Sequence, residues 1–238
     1  MPNIRNKIMK FLVLSDLHAN NSILDKMEKE FSQADAVIFA GDFAECFKTE
    51  TGKGALEALC TKHDTIFAVL GNCDEPEFIE QLEDQDICIE RTLVFHEGLA
   101  FAGSGGGTYF TGKTANEREE NDILSDFNIV ENSVRDSGDA SLWKRLIIVS
   151  HNPPKDTKCD AVNESLHAGS QMFTDFIKEN QPLAVICGHI HEGRAVDKIG
   201  ETVIINPGAL LESNYAWLEV EKQDGSWRVV NTSLCKVE

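Results

Sequence analysis

The chain has 238 residues, 42% of them hydrophobic, enough for one large or two small domains with a substantial core. Its 40 acidic residues against 22 Lys and Arg leave a net charge of −18, which excludes partners as anionic as long nucleic acid or a phospholipid surface. No apolar run approaches the roughly 18–20 residues of a membrane span, and the start "MPNIRNKIMKF" has no apolar signal-peptide segment.

Along the chain, residues 1–9 read as a flexible extension, with Met9-Lys10 a candidate true start. The first apolar run, "FLVLS" from Phe11, passes straight into Asp16-Leu17-His18. Ile23, Leu24, Met27 and Phe31 then lie at helical spacing, so a helix is expected over Asn21–Phe31 with Asn20 as its cap. "AVIFAG" from Ala36 runs into Asp42, and "TIFAVLG" from Thr65 into Asn72-Cys73-Asp74. "LAFAG" (Leu99–Gly103) precedes the glycine-rich "GGGTYFTGKT" (Gly105–Thr114), with a helix expected from about Ala115. "LIIVS" from Leu146 delivers His151. A second amphipathic pattern carries Leu166, Met172, Phe173, Phe176 and Ile177. "AVICG" from Ala184 delivers His189 and His191, and "TVIIN" follows from Thr202. "YAWLEV" and "SWRVVN", joined by "KQDGS", close the chain as an antiparallel hairpin.

The strands are apolar on both alternating faces, as in sheets buried from both sides, and they alternate with helices. An α/β fold in one domain over 1–238 is expected, with no repeat or linker dividing it. The seven cysteines include no C-x-x-C pair and read as free thiols of a cytoplasmic protein. His63 and His96 stand beside charged or turn residues and read as solvated.

Five strands end in Asp16, His18, Asp42, Asn72, His151, His189 and His191, at the strand edge where open α/β sheets bind ligands. Each alone has an ordinary reading as a helix cap; together they form a ligand set. Imidazole and carboxylate suit borderline divalent ions such as Zn²⁺, Mn²⁺ and Fe²⁺. An Asp-x-His or His-x-His pair in extended chain puts both side chains on one face. The set is large enough for two ions, and a carboxylate can bridge them. Two dications against two aspartates and one hydroxide leave a net positive spot that attracts phosphate. A neutral Asn72 ligand preserves that charge.

Gly107, Gly112, Lys113 and Thr114 also satisfy the phosphate-loop pattern G-x-x-x-x-G-K-[ST] of nucleotide triphosphatases. Such an enzyme needs a downstream strand ending in a Mg²⁺-binding Asp, and those strands end in histidine. Tyr109 and Phe110 are bulky for a loop that must wrap a phosphate. The preferred reading is an ordinary glycine-rich loop near the metals.

"SDLH", "AGD", "GNCD", "SHNPP" and "CGHIHE", in this order and followed by "NPG", resemble the signature of calcineurin-like metallophosphoesterases. The longer "HAGS…QPLAVICGHIHE…NPGAL" is most similar to their Icc-related bacterial and archaeal group. The resemblance spans nearly the whole chain from Phe11. It implies two mixed β-sheets packed as a sandwich and flanked by helices. It also implies two divalent transition-metal ions (Mn²⁺, Fe²⁺, Zn²⁺ or Ni²⁺, with Mn²⁺ favoured). Asp16, His18 and His191 would hold the first, Asn72, His151 and His189 the second, and Asp42 would bridge. The implied reaction is hydrolysis of small phosphate esters, diesters foremost, by a metal-bound hydroxide. Asp42, Asn72, Cys73 and Asp74 are the catalytic candidates, and Gly105, Gly106, Gly107 and His167 the candidates for touching substrate.

Two positions depart from the pattern. The fuller second block, G-D-x-x-[DN], has Glu45 or Cys46 nearby in place of the expected residue. Cys73 stands where many members carry a phosphate-contacting histidine, so proton donation there would be weaker. Some proteins resembling this family serve as protein-binding scaffolds with degraded sites. Here every ligand position is filled, which favours an enzyme.

Overall fold

The computed structural model describes residues 7–110 and 112–238. Its strands, in chain order, are β1 (Lys7–Leu14), β2 (Ala36–Phe39), β3 (Ile66–Ala68), β4 (Val94–His96) and β5 (Leu99–Ser104). They continue with β6 (Gly107–Thr108), β7 (Glu117–Arg118), β8 (Leu146–Ser150), β9 (Ala161–Asn163) and β10 (Leu166–His167). The last are β11 (Ala184–Ile186), β12 (Ala195–Ile199), β13 (Thr202–Asn206), β14 (Asn214–Gln223) and β15 (Ser226–Lys236). The α-helices are α1 (Glu28–Gln33), α2 (Gly52–Cys60), α3 (Ile79–Asp84), α4 (Glu120–Ser125), α5 (Asn128–Ser137) and α6 (Gln171–Asn180).

Alternation along the strands builds the layers. In β1, Met9, Phe11 and Val13 turn to one face and Leu12 and Leu14 to the other, and all are buried. One sheet runs β15-β14-β1-β2-β3 and the other β12-β13-β11-β8-β5-β4. In the first, β1, β2 and β3 are parallel and β14 and β15 pair antiparallel at one side; in the second, antiparallel β12 and β4 flank a parallel centre, so both are mixed. The odd-numbered residues of β1 meet Phe101, Ile147, Val149 and Ile186 of the facing sheet. Phe101 stacks on Phe67 at 4.0 Å between ring centroids and meets Phe11 edge-on at 5.7 Å. Leu12, Leu14 and Phe39 pack outward on Phe31, Leu56 and Leu59. Ile148, Val185 and Ile204 pack on Phe127, Val130 and Phe173. The helix–sheet–sheet–helix sandwich expected from the sequence is the one observed.

Local differences have local causes. β1 starts at Lys7, paired with Lys222 of β14, so the expected extension loses residues 7–9; residues 1–6 lie outside those described. The helix expected over Asn21–Phe31 is split into a 3₁₀ turn at Asn21–Lys26 and α1. Asn20 makes no side-chain cap, because its Oδ1 accepts the Ser22 hydroxyl. After the glycine loop, β7 comes first and a helix begins only at Glu120. Leu166 lies in β10 rather than in the following helix, which is α6, capped by the Ser170 hydroxyl oxygen accepting from Phe173 N–H. The terminal hairpin turns at Asp224-Gly225, both at positive φ, as a two-residue turn requires. His63 is half-buried with its ring between Ala34 O and Thr65, and His96 is half-buried against Phe67, so neither is simply solvated.

The parallel centres decide where chemistry can gather. β1, β2 and β3 in one sheet, and β8 and β11 in the other, all release their chains at the same edge of the sandwich.

Candidate metal centre

All seven predicted ligands meet at that edge. His18 Nε2 lies 3.9 Å from Asp16 Oδ1 and 3.4 Å from His191 Nε2, and His191 Nε2 is 3.3 Å from Asp16 Oδ1. In the second group, Asn72 Oδ1 is 2.9 Å from His151 Nε2 and 2.7 Å from His189 Nδ1. Asp42 Oδ2 lies between them, 3.6 Å from His18 Nε2 and 3.5 Å from His151 Nε2.

Asp16, His18, Asp42 and His189 all have positive φ, between 47° and 67°, a left-handed conformation that non-glycine residues seldom adopt. Such strain, about 1–3 kcal/mol per residue, gathers at functional sites. Glycines let the turns approach one another. A Cβ on Gly71 would collide with Asp42 Oδ1, and one on Gly188 would collide with Ser15 Oγ. Backbone contacts tie the two sheets at the site: His189 N–H donates to Asp16 Oδ2, and Leu211 N–H to Asp16 O.

The surroundings dictate tautomers. His151 Nδ1 donates to Ala40 O at 2.6 Å, and His18 Nδ1 to Ala44 O at 3.0 Å, which aims both Nε2 lone pairs into the site. His151 Nε2 then faces the Asn72 carbonyl oxygen, and His18 Nε2 faces Asp42. With both imidazoles neutral, acceptors converge on acceptors. Asp16 Oδ1 is buried and accepts no hydrogen bond. Such a site calls for cations, and the N and O donors fit borderline divalent ions.

Without a cation, a proton on His151 supplies positive charge instead. Burial alone would raise the Asp16 carboxyl, but His191, 3.3 Å away, and the neighbouring imidazoles hold it well below the usual range. Burial opposes ionisation of Asp42 too, and His151 outweighs it. Burial disfavours a charged His151, yet Asp42 pushes it up to about 9. His189 is pushed down to about 4 by burial and then by the charge on His151.

Sequence reasoning missed the supports. Asn206, from the "NPG" turn, donates through Nδ2 to Cys159 O, Gly188 O and Ile190 O, which fixes the loop bearing His189 and His191. Asn116 clasps the other side: its N–H donates to Asn72 O and its Nδ2 to Gly71 O. Glu90, fully buried, accepts Leu70 N–H at 2.6 Å and is pushed up to about 7 by burial. A charged residue inside the apolar "ICIE" was the available signal.

Of the remaining candidates, Asp74 accepts from the N–H groups of Gly71, Asp42, Phe43 and Ala44, so both its oxygens hold backbone. Burial and then Asp42 push it up to about 6, against those four donors. Gly105 and Gly106 are consumed by close packing against Glu90 and Asn116, while Gly107 lies against Asn72 and His189. His167 bonds Asp160 Oδ1 at 2.7 Å. Cys73 is joined to Cys46, overturning the expectation that all seven cysteines are free thiols; five remain free. The two lie 27 residues apart in sequence, beyond any local motif, and meet because the turn after β2 folds against that after β3. A bonded Cys73 has no proton to donate.

The sequence model described as calcineurin-like phosphoesterase matches residues 9–193. An uncharacterized protein of Methanocaldococcus jannaschii is 33% identical over 210 residues, 84% of this chain and 88% of its own. A solved protein of Thermus thermophilus has a similar fold, with TM-score 0.70 at 17% identity over 98% of this chain and 100% of that one. A solved putative 5'-nucleotidase of Staphylococcus aureus, in complex with alpha-ketoglutarate, gives TM-score 0.64 at 13% identity. That match covers 97% of this chain and 54% of the nucleotidase.

Proposed function

The chain belongs to the calcineurin-like phosphoesterase family, and from that premise we propose that it is a phosphodiesterase working with two divalent metal ions in a single domain. One observation carries the reading. Asp42 Oδ2 lies 3.6 Å and 3.5 Å from the Nε2 atoms of histidines in two separate ligand groups. A carboxylate so placed serves as a bridge.

In this reading Asp16, His18 and His191 hold one ion and Asn72, His151 and His189 the other. Two ions bound there supply Lewis-acid polarisation of a phosphoryl oxygen and a lowered pKa for bound water. The protein keeps His18 and His151 in the ligating tautomer through Ala44 O and Ala40 O. Gly107, against Asn72 and His189, leaves room for a phosphate to approach. Mn²⁺ is the favoured ion. With Cys73 bonded and Asp74 occupied by backbone, no strong proton donor stands at those positions for the leaving group, which favours diesters with acidic leaving groups.

Small phosphate esters are the proposed substrates, because the net charge of −18 repels long polyanions. Among the described residues no helix is long and apolar enough to cross a membrane. We assign the protein to the cytoplasm, a reading that the five free cysteines favour. The test is metal analysis of the purified protein together with a panel of diesters and monoesters, with and without chelator. Two ions per chain and chelator-sensitive hydrolysis of diesters are expected. Full metal occupancy without hydrolysis of any ester would favour the scaffold reading.

A further inference from the structure

Cys46 and Cys73 sit beside the metal centre, and neither belongs to the ligand set above. Cys46 lies in the turn closed by Lys48 N–H donating to Glu45 O. At its tip Phe47 is 72% exposed, with φ at 68°. Cys73 is buried between Asn72 and Asp74, and its N–H donates to Asp42 Oδ1 at 2.8 Å. The two Cα atoms are 4.9 Å apart. One ligand atom from each of His18, Asp42, Cys46 and Cys73 lies within 4.8 Å of all the others. Two sulfurs, one imidazole and one carboxylate are the donor types of a tetrahedral site, which the sulfurs can complete only after they part as thiolates, with metal–sulfur bonds of about 2.3 Å. Soft thiolates select zinc-like ions over manganese.

We propose that Cys46 and Cys73 gate a further metal position, closed as the disulfide and open as the dithiol, which takes one soft divalent ion such as Zn²⁺ or Cd²⁺. A dithiol reductant opens it. The disulfide gains two electrons and two protons, and the reductant leaves as its own disulfide. Metal binding then releases the thiol protons. The bonded sulfurs have no thiolate to offer, so the oxidised protein has only its N and O donors.

The consequence for catalysis rests on the dinuclear reading above; the thiolate site itself does not. His18 and Asp42 serve both arrangements, so an ion held by the two sulfurs draws them from the dinuclear centre. Asn72 is affected as well, because its Nδ2 donates to Cys73 Sγ at 3.7 Å while its Oδ1 faces His151 and His189. The redox state would therefore decide whether zinc inhibits. The exposed turn around Phe47 gives the bond room to open and close.

The test uses full-length, metal-free protein in two states: oxidised, and reduced with a phosphine that is then removed without air. Thiol counting should find two more thiols in the reduced state. Titration with Co²⁺ alone should give a sulfur-to-cobalt charge-transfer band in the reduced protein, displaced by Zn²⁺. The band should be missing from the oxidised protein and from Cys46→Ser, and retained in Cys60→Ser, whose thiol lies outside the cluster. With Mn²⁺ present, one equivalent of Zn²⁺ should lower diesterase activity about 10-fold or more in the reduced protein and less than about 2-fold in the oxidised one. A reduced protein with both thiols free but no band overturns the proposal. So does a band that survives Cys46→Ser, or an unchanged thiol count. A band behaving as expected without esterase activity in either state would uphold the thiolate site and sink the phosphodiesterase reading instead.

Discussion

The two ligand groups of the centre differ in how far they are finished by the protein alone. In one, Asn72 and His151 are buried, with His151 tied to Ala40 O, and His189 is half-buried. Asp16, His18 and His191 form the open side, where the His191 side chain keeps 30% of its surface exposed and Asp16 Oδ1 lacks a hydrogen bond. The charge buried in the inner group is a proton on His151, matched at once by Asp42 at 3.5 Å. The outer group buries a carboxylate, whose desolvation must be repaid by positive charge. On the proposed dinuclear reading, the inner position is preorganised by folding, whereas the outer one depends on its ion.

The change with the largest expected effect breaks both groups at once. Asp42→Asn removes the charge shared between them. It should lower kcat/KM by more than the ~10–100-fold typical of losing a residue that merely supports a ligand. Metal content should fall below two per chain. Near-normal activity with two ions bound would remove the bridge and, with it, the comparison.

Single changes in each group sharpen the contrast. His151→Ala and His191→Ala should each cost one bound ion, read by metal analysis. Their effects on the metal-free fold should differ. His151→Ala leaves a buried cavity and leaves Ala40 O only the Ser15 hydroxyl at 3.4 Å, costing about 2–4 kcal/mol in denaturant unfolding. His191→Ala, half-exposed, should cost less than about 1 kcal/mol. Equal costs would mean that the inner group is no better built than the outer.

What the sequence made legible follows the same division. Strand-end ligands were readable because apolar runs announce their own ends: "FLVLS" must stop at Asp16 and "AVICG" at His189. The sheets were readable because residues such as Phe11 and Leu12 are apolar on successive faces, which two-sided burial demands. The supports were not readable. Asn206 acts on Gly188 and Ile190 through loops that only the fold brings together, and Asn116 reaches Gly71 from 45 residues away. The Cys46–Cys73 pair escaped for the same reason. An Asn in a turn carries no sign of the carbonyls it will meet.

Glu90 tests the support beneath the inner group through pH. Its folded-state pKa of about 7 lies above the ordinary 4.5, chiefly through burial. Between about pH 4.5 and 7 the unfolded chain gives up this proton while the folded one keeps it. Stability associated with Glu90 is thus present in full below 4.5 and is lost as pH rises through 7. Glu90→Gln keeps an oxygen for Leu70 N–H and cannot ionise. Its stability relative to the parent should rise from pH 5 to pH 8 by about 1–3 kcal/mol. A difference that does not change with pH would mean that Glu90 is ionised when buried, held so by Arg118.

The smallest effect is expected at the phosphate-loop match, the region least like the metal centre. A working phosphate loop offers its backbone N–H groups to an anion. Here the N–H groups of Phe110 and Gly112 donate to Glu117 Oε2, and those of Lys113 and Thr114 to Glu117 Oε1, with the Thr114 hydroxyl donating there too. The loop is wrapped around its own carboxylate, and a nucleotide phosphate would have to displace a covalently attached competitor. Tyr109 and Phe110 point outward, 61% and 79% exposed, rather than leaving a cradle. Lys113→Ala should therefore change diester kcat/KM by less than about 3-fold, under 0.7 kcal/mol in activation free energy. Titration of the parent with Mg-ATP should reveal no saturable binding that the substitution removes. Tight Mg-ATP binding lost in Lys113→Ala would show that Glu117 holds the place of a phosphate, and that the loop opens to receive one.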